Sequence, residues 1–199
     1  MSDNDFASLG ADAPDGERTP NYKQPPIEKV LVAEVAEFFQ QWCGTNYVWE
    51  QPSFLTSVTG RKRKDAHKLD IYAQTPRAWK HHRRYPTIAI EAKRESSSKH
   101  IRQAWGQILD ARRGDSWMAG GVTLWPPAVI LFVSWDTWGP SSFLHVCDGY
   151  WRTRGMEMLF DRLLWEHGCA ILTRDNWGPN FQSNRVKDGG EWIKLQGGT

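Results

Sequence analysis

Asp70, Glu91 and Lys93 are the residues whose types and spacing could carry chemistry. They lie in two short stretches, Lys68-Leu-Asp-Ile-Tyr-Ala73 and Thr87-Ile-Ala-Ile-Glu-Ala-Lys93. Read as β-strands, each stretch sends successive side chains to opposite faces. Leu69, Ile71 and Ala73 then share one face of the first, with Lys68, Asp70 and Tyr72 on the other. In the second, Ile88, Ile90 and Ala92 oppose Glu91 and Lys93. If the two apolar faces meet a common core, Asp70, Glu91 and Lys93 gather on the polar side. Two carboxylates and a lysine on a rigid sheet can hold a hard cation and activate water. The alternative for any isolated Glu-x-Lys on a strand is a salt-bridged sheet surface.

The surrounding elements must position this group. A helix is expected from Ile27 to about Trp42, with Ile27, Leu31, Val35, Phe38 and Trp42 as its apolar stripe and Gly44 as its stop. Glu34 borders that stripe, whereas Glu37 lies away from it. A strand broken near Pro52 is expected within Asn46–Thr59. The connection between the Asp70 and Glu91 stretches is too short for a helical crossover, so the two should pair as an antiparallel hairpin. The serines at 96–98 predict the start of a second helix, which continues through Ile101, Ala104, Trp105 and Ile108 to about Arg113. Ala128–Val133 reads as a central strand buried on both faces. A helix is expected within 149–167, a strand at Cys169–Thr173, and a loop-like tail with one short strand at Trp192–Leu195. This order predicts an α/β or α+β fold, a mixed sheet flanked by helices.

Composition bounds the partners. Length and hydrophobic content suit one well-buried domain with extensions. Net charge is only +2, yet residues 61–84 hold nine Lys or Arg against two Asp. Residues 1–20 hold five acids against Arg18 alone. An acidic tail beside a basic surface suits a polyanion, although a charge run is often only a solvated loop. The 12 tryptophans, most of them after Arg113, serve either core packing or stacking on unpaired bases. Cys43, Cys147 and Cys169 show no CxxC spacing, so a reducing, cytoplasmic setting is expected. No apolar run is long enough to span a membrane. Residues 1–26, rich in Asp, Gly and Pro, read as a disordered or extended segment.

An apolar strand ending in Glu-x-Lys, preceded about twenty residues earlier by a strand Asp, resembles the PD-(D/E)XK nuclease superfamily. The expected helix, three strands, helix and strand over residues 27–134 are similar to the restriction-endonuclease-like core. The resemblance makes Asp70 the motif Asp, Glu91 the acidic residue and Lys93 the lysine, with Leu69 where the family name has proline. It also implies a helix glutamine, for which Ala104-Trp-Gly-Gln-Ile-Leu-Asp-Ala-Arg112 nominates Gln107, and a glutamate from the first helix, for which Glu34 is the better candidate. The implied cofactor is Mg²⁺, with Mn²⁺ as its substitute, held by Asp70, Glu91 and the carbonyl of Ala92. The implied reaction is phosphodiester hydrolysis of DNA to 5′-phosphate ends, in restriction, recombination or repair. Arg61, Lys62, Arg63, Lys64, Lys68, Arg83 and Arg84 are candidate nucleic-acid contacts. Residues 27–199 would form one nuclease-like domain with a Trp-rich extension from about 135. A homodimer would suit paired cuts, a monomer nicking or end processing. The competing readings are a nucleic-acid-binding module that does not cleave and a protein-interaction module built on the tryptophans.

Overall fold

The structure, a computed structural model, describes residues 27–56, 67–95, 98–138, 168–175, 178–183 and 191–196. The acidic segment 1–26, the basic run Arg61–Lys64 and the helix expected within 149–167 lie outside the described residues. The first helix, α1, spans Glu28–Cys43, and Gly44, at φ 92°, ends it with its N–H on the Gln40 carbonyl at 2.9 Å. Its buried residues are Leu31, Val35, Ala36 and Phe39. The apolar stripe is therefore rotated from the expected one, leaving Ile27 exposed and Phe38 half-buried.

Strands β1 (Val48–Glu50) and β2 (Ser53–Thr56) replace the single broken strand. Pro52 separates them, and Gln51 takes a left-handed φ of 49°. Pro52 removes a ladder donor at this turn. The chain thereby leaves one sheet and joins another. A seven-stranded sheet has the order β1, β4 (Ile71–Gln74), β5 (Thr87–Lys93), β8 (Val129–Ser134), β9 (Cys169–Asp175), β10 (Gly178–Ser183) and β11 (Glu191–Lys194). A four-stranded sheet has the order β3 (His67–Lys68), β2, β6 (Gly114–Ala119) and β7 (Val122–Leu124).

In the larger sheet β4 pairs antiparallel with β5, as the short connection predicts, and β5 pairs parallel with β8. The path from β5 to β8 runs through helix α2 (Ser98–Arg112), as a parallel connection requires. The fold is mixed α+β, with a larger sheet of mixed strand orientation and a smaller antiparallel one. One face of the larger sheet packs against α1 through Ile71, Ala73, Ile88, Ile90, Ala92, Leu131 and Val133. The other packs against α2 and the smaller sheet through Tyr72, Ala89, Ile130 and Phe132. Both faces are thus covered, and β5 and β8 are buried along their whole length.

This double coverage corrects the expected alternation in one respect. Leu69 belongs to the α2-side core, whereas Ile71 and Ala73 belong to the α1-side core. The regular strand begins only at Ile71, so the period of two does not extend back through Asp70 to Leu69. A short helix, α3 (Trp135–Trp138), follows β8. No helix among the described residues is long and apolar enough to cross a membrane.

Candidate active site at the end of the central strand

Strand β5 carries Glu91 and Lys93 at its C-terminal end, alternating with Ala92 on the α1-side core. Glu91 is 1% exposed and Lys93 7%. A charge inside a covered sheet is costly unless it is paired. The Lys93 ammonium donates to Glu91 Oε1, a buried contact between residues two apart on one strand face that becomes an ion pair when Glu91 is deprotonated. Glu28, in the first turn of α1, places Oε1 3.8 Å from Lys93 Nζ and remains half exposed.

Asp70 reaches the group from the neighbouring chain segment. Its backbone N–H donates to the Ile90 carbonyl at 3.1 Å, and its carbonyl accepts from Gln51 N–H at 2.8 Å. Its Oδ2 accepts from the Ala92 N–H at 2.7 Å. Asp70 is thus held by main chain on both sides and by its own carboxylate. A side chain fixed in this way needs little reordering to act.

Electrostatics follow from burial and crowding. Burial pushes the Glu91 carboxyl up to about 8, and the Asp70 charge adds to the rise against the opposing pull of Lys93. Asp70 is also raised, chiefly by burial, with the Ala92 N–H and Lys93 working against it. Burial pulls Lys93 down, but Glu91, Glu28 and Asp70 together outweigh it and hold the amine above its ordinary value. At neutral pH Lys93 is therefore a firmly held cation that donates hydrogen bonds and has no lone pair to accept a proton.

Glu91 Oε2 is buried and has no hydrogen-bond partner. An unsatisfied buried carboxylate oxygen is expensive, and a hard cation or its bound water is the kind of group that would satisfy it. Among the described residues no group of three or more His, Cys, Asp and Glu gathers as a closed metal cage. Two carboxylates with open positions fit magnesium, which keeps several waters and takes only a few protein ligands.

The other candidates are spread more widely. Glu34 accepts from the Arg174 guanidinium of β9, and Arg174 lies 5.8 Å over the Trp138 ring. It is not brought to Lys93; Glu28 is. The reason lies in the helix: Glu28 stands three and seven residues before the buried Leu31 and Val35, so it shares their face and emerges at the end that meets β5. That spacing was legible in the sequence once the stripe was drawn through Phe39. Gln107 is half-buried on α2, with no hydrogen bond to Asp70, Glu91 or Lys93. Lys68 is exposed two residues before Asp70 and donates to Gln51 Oε1 at 3.4 Å.

Arg83 and Arg84 lie in the β4–β5 connection, at the opposite end of β5 from Lys93. With about 3.3 Å per strand residue, Thr87 and Lys93 stand roughly 20 Å apart, so these arginines flank a different region from the carboxylates. Pairing of Gln74 with Thr87 and of Ile71 with Ile90 sets this separation. Gly114-Asp-Ser116 forms part of β6, with Ser116 opposite Leu55. No protein-family model, curated protein or solved structure matches the chain.

Proposed function

We propose that the chain is a metal-dependent DNA nuclease whose site is Asp70, Glu91 and Lys93. The carrying observation is the orphaned Oε2 of Glu91, buried beside a second fixed carboxylate and a paired lysine. A structural salt bridge explains Lys93 and one oxygen of Glu91. It does not explain the second oxygen or the presence of Asp70 beside it.

The order α1, β1, β4, β5, α2 and β8, with an antiparallel β4–β5 pair and a parallel β5–β8 pair, supports a restriction-endonuclease-like core. Asp70 and Glu91 would hold Mg²⁺ or Mn²⁺, with the Ala92 carbonyl as a further ligand. When bound, the cation supplies Lewis-acid polarisation of the phosphate and a more acidic water. Asp70 keeps its position through Ala92 N–H, which leaves Oδ1 for the ligand role. Lys93, held cationic, stabilises negative charge that builds on the non-bridging phosphate oxygens. Attack of water on phosphorus breaks the P–O3′ bond, leaving a 5′-phosphate on one product and, after the departing oxygen takes a proton from solvent, a 3′-hydroxyl on the other. Glu28 takes the first-helix acidic position that the sequence pattern offered to Glu34, and Gln107 retains the supporting role that the resemblance implies.

The test is incubation of single-stranded, duplex and branched DNA with Mg²⁺, beside Asp70→Asn and Lys93→Ala. Wild-type cleavage with loss of at least a hundredfold in each variant is the expected result. Cleavage that survives both substitutions would sink the assignment. Binding without cleavage in any divalent cation would favour a module that recognises nucleic acid and leaves it intact.

A further inference from the structure

We propose that the cavity at the far end of the β4–β5 hairpin binds an unpaired base of single-stranded DNA. The cavity has a volume of about 740 Å³ and is lined by Tyr47, Gln74, Arg77, His82, Thr87 and Trp125, among others. Its size is ordinary for a small-ligand pocket, roughly 300–1,000 Å³. What distinguishes it is the combination of exposed aromatic surface with a lining arginine, Arg77.

Trp125 is 76% exposed and Tyr47 52%, although Trp117 and Trp138 show that this fold buries tryptophan readily. The Trp125 main chain is fixed, because its carbonyl accepts from the buried Tyr72 hydroxyl at 2.9 Å. A rigid backbone therefore presents an open indole at the cavity lip. Indole and phenol rings stack on any base, and the stacking does not depend on sequence. Gln74 and His82 add polar groups within the cavity; His82 Nδ1 lies 2.9 Å from Thr75 Oγ1, which fixes its ring.

Charge at this end suits a phosphate backbone. From Ile71 to Ile90 the chain contains Arg77, Lys80, His81, His82, Arg83 and Arg84 and no Asp or Glu. The connection is anchored: Trp79 Nε1 donates to the Lys194 carbonyl at 3.0 Å and Thr75 Oγ1 to the Tyr85 carbonyl at 2.8 Å. An arginine and an open indole lining one cavity, next to a basic connection, are the pattern expected for single-stranded nucleic acid. Thr87 lines the cavity and Glu91 lies four residues further along the same strand, a separation of roughly 13 Å. A strand of a few nucleotides covers that distance. The inference relies on the nuclease reading only for the view that one DNA strand visits both places.

The experiment is fluorescence anisotropy of a labelled oligothymidylate with the full chain in EDTA. Without a divalent cation no cleavage enters the reading, so its outcome is independent of the nuclease assignment. Trp125→Ala should weaken binding roughly tenfold, and Trp125→Phe, which keeps a stacking ring, should stay within about threefold of wild type. Arg77→Ala should weaken binding and flatten its salt dependence by about one phosphate contact. Circular dichroism and thermal melts establish that each variant is folded. Binding by Trp125→Ala equal to wild type would overturn the proposal. So would an equal loss by Trp125→Ala on a blunt duplex of two complementary strands with no unpaired bases, since stacking on an open base would then not be the cause.

Discussion

At the scale of single residues, Glu91 sets the pH behaviour. Burial pushes its carboxyl up from an ordinary 4.5 to about 8 in the folded chain. The folded state therefore holds a proton that the unfolded state releases, and cation-free stability should fall as pH rises from about 5 to about 8. The loss accumulates across the range between the ordinary and the raised value. Urea unfolding in EDTA at pH 5, 6.5 and 8 measures it, and Glu91→Gln should remove most of the slope. Lys93, raised by its acidic neighbours, contributes stability that persists through neutral pH and fades only in alkali. The same proton competes with a cation. Mg²⁺ affinity, measured by calorimetry, should rise up to about tenfold per pH unit between 6 and 8 and should lose this dependence in Glu91→Gln.

The two acids of α1 make a separate comparison. Glu28 stands beside the buried lysine, and Glu34 beside an exposed arginine. Glu28→Gln should lower cleavage about tenfold or more. Glu34→Gln should leave cleavage near wild type and change stability by less than about 1 kcal/mol, as expected for an exposed pair. Parallel rate and melting measurements on the two variants distinguish them.

At the scale of elements, the site depends on where strands start and stop. Asp70 is available because β4 begins one residue later and β1 ends beside it, at Glu50 opposite Ile71. Tyr72, on the face of β4 toward α2, ties the larger sheet to the segment after β7 through the Trp125 carbonyl. Tyr72→Phe should cost about 1–2 kcal/mol in denaturant unfolding, the value of a buried hydrogen bond whose acceptor is left unpaired. The β6–β7 hairpin turns on Gly120 and Gly121, at φ 54° and 79°. Ala119-Gly-Gly-Val122 is a two-residue turn signal between strand-like residues, so this hairpin was readable from sequence, although the expected element order lacked it. Strand β10 left no such mark. Gly178-Pro-Asn-Phe-Gln-Ser183 has weak strand propensity, and its place is set by pairing with β9 and β11 on either side.

At the scale of the whole molecule, two charged regions stand at opposite ends of the central hairpin. One gathers Asp70, Glu91, Lys93 and Glu28; the other gathers Arg77, Lys80, Arg83 and Arg84 in a stretch without acids. Single-stranded DNA binding should therefore weaken steeply with salt. Arg77→Ala combined with Arg83→Ala should reduce the slope of log affinity against log salt by about 1.4, two single-strand phosphate contacts, read by anisotropy in EDTA. The double coverage of the larger sheet also accounts for the shifted acid. A carboxylate on a solvated sheet face would keep its usual value, whereas β5 lies between two cores that exclude water.

Residue order along the chain was enough to read the local arrangement. Alternation placed Glu91 and Lys93 on one face of β5, the apolar run of β8 marked a doubly buried strand, and the short connection required the β4–β5 hairpin. These are properties of neighbours along the chain, and backbone geometry alone enforces them. Which distant groups meet followed from packing. It set Glu28 beside Lys93 because α1 packs through Phe39 where the expected stripe used Phe38. It carried Arg83 and Arg84 away from the carboxylates because an antiparallel hairpin separates its turn from its open end. It buried Glu91 because a second sheet and α2 cover the face that would otherwise meet water. Each outcome depends on packing between segments far apart in sequence, which local periodicity does not encode.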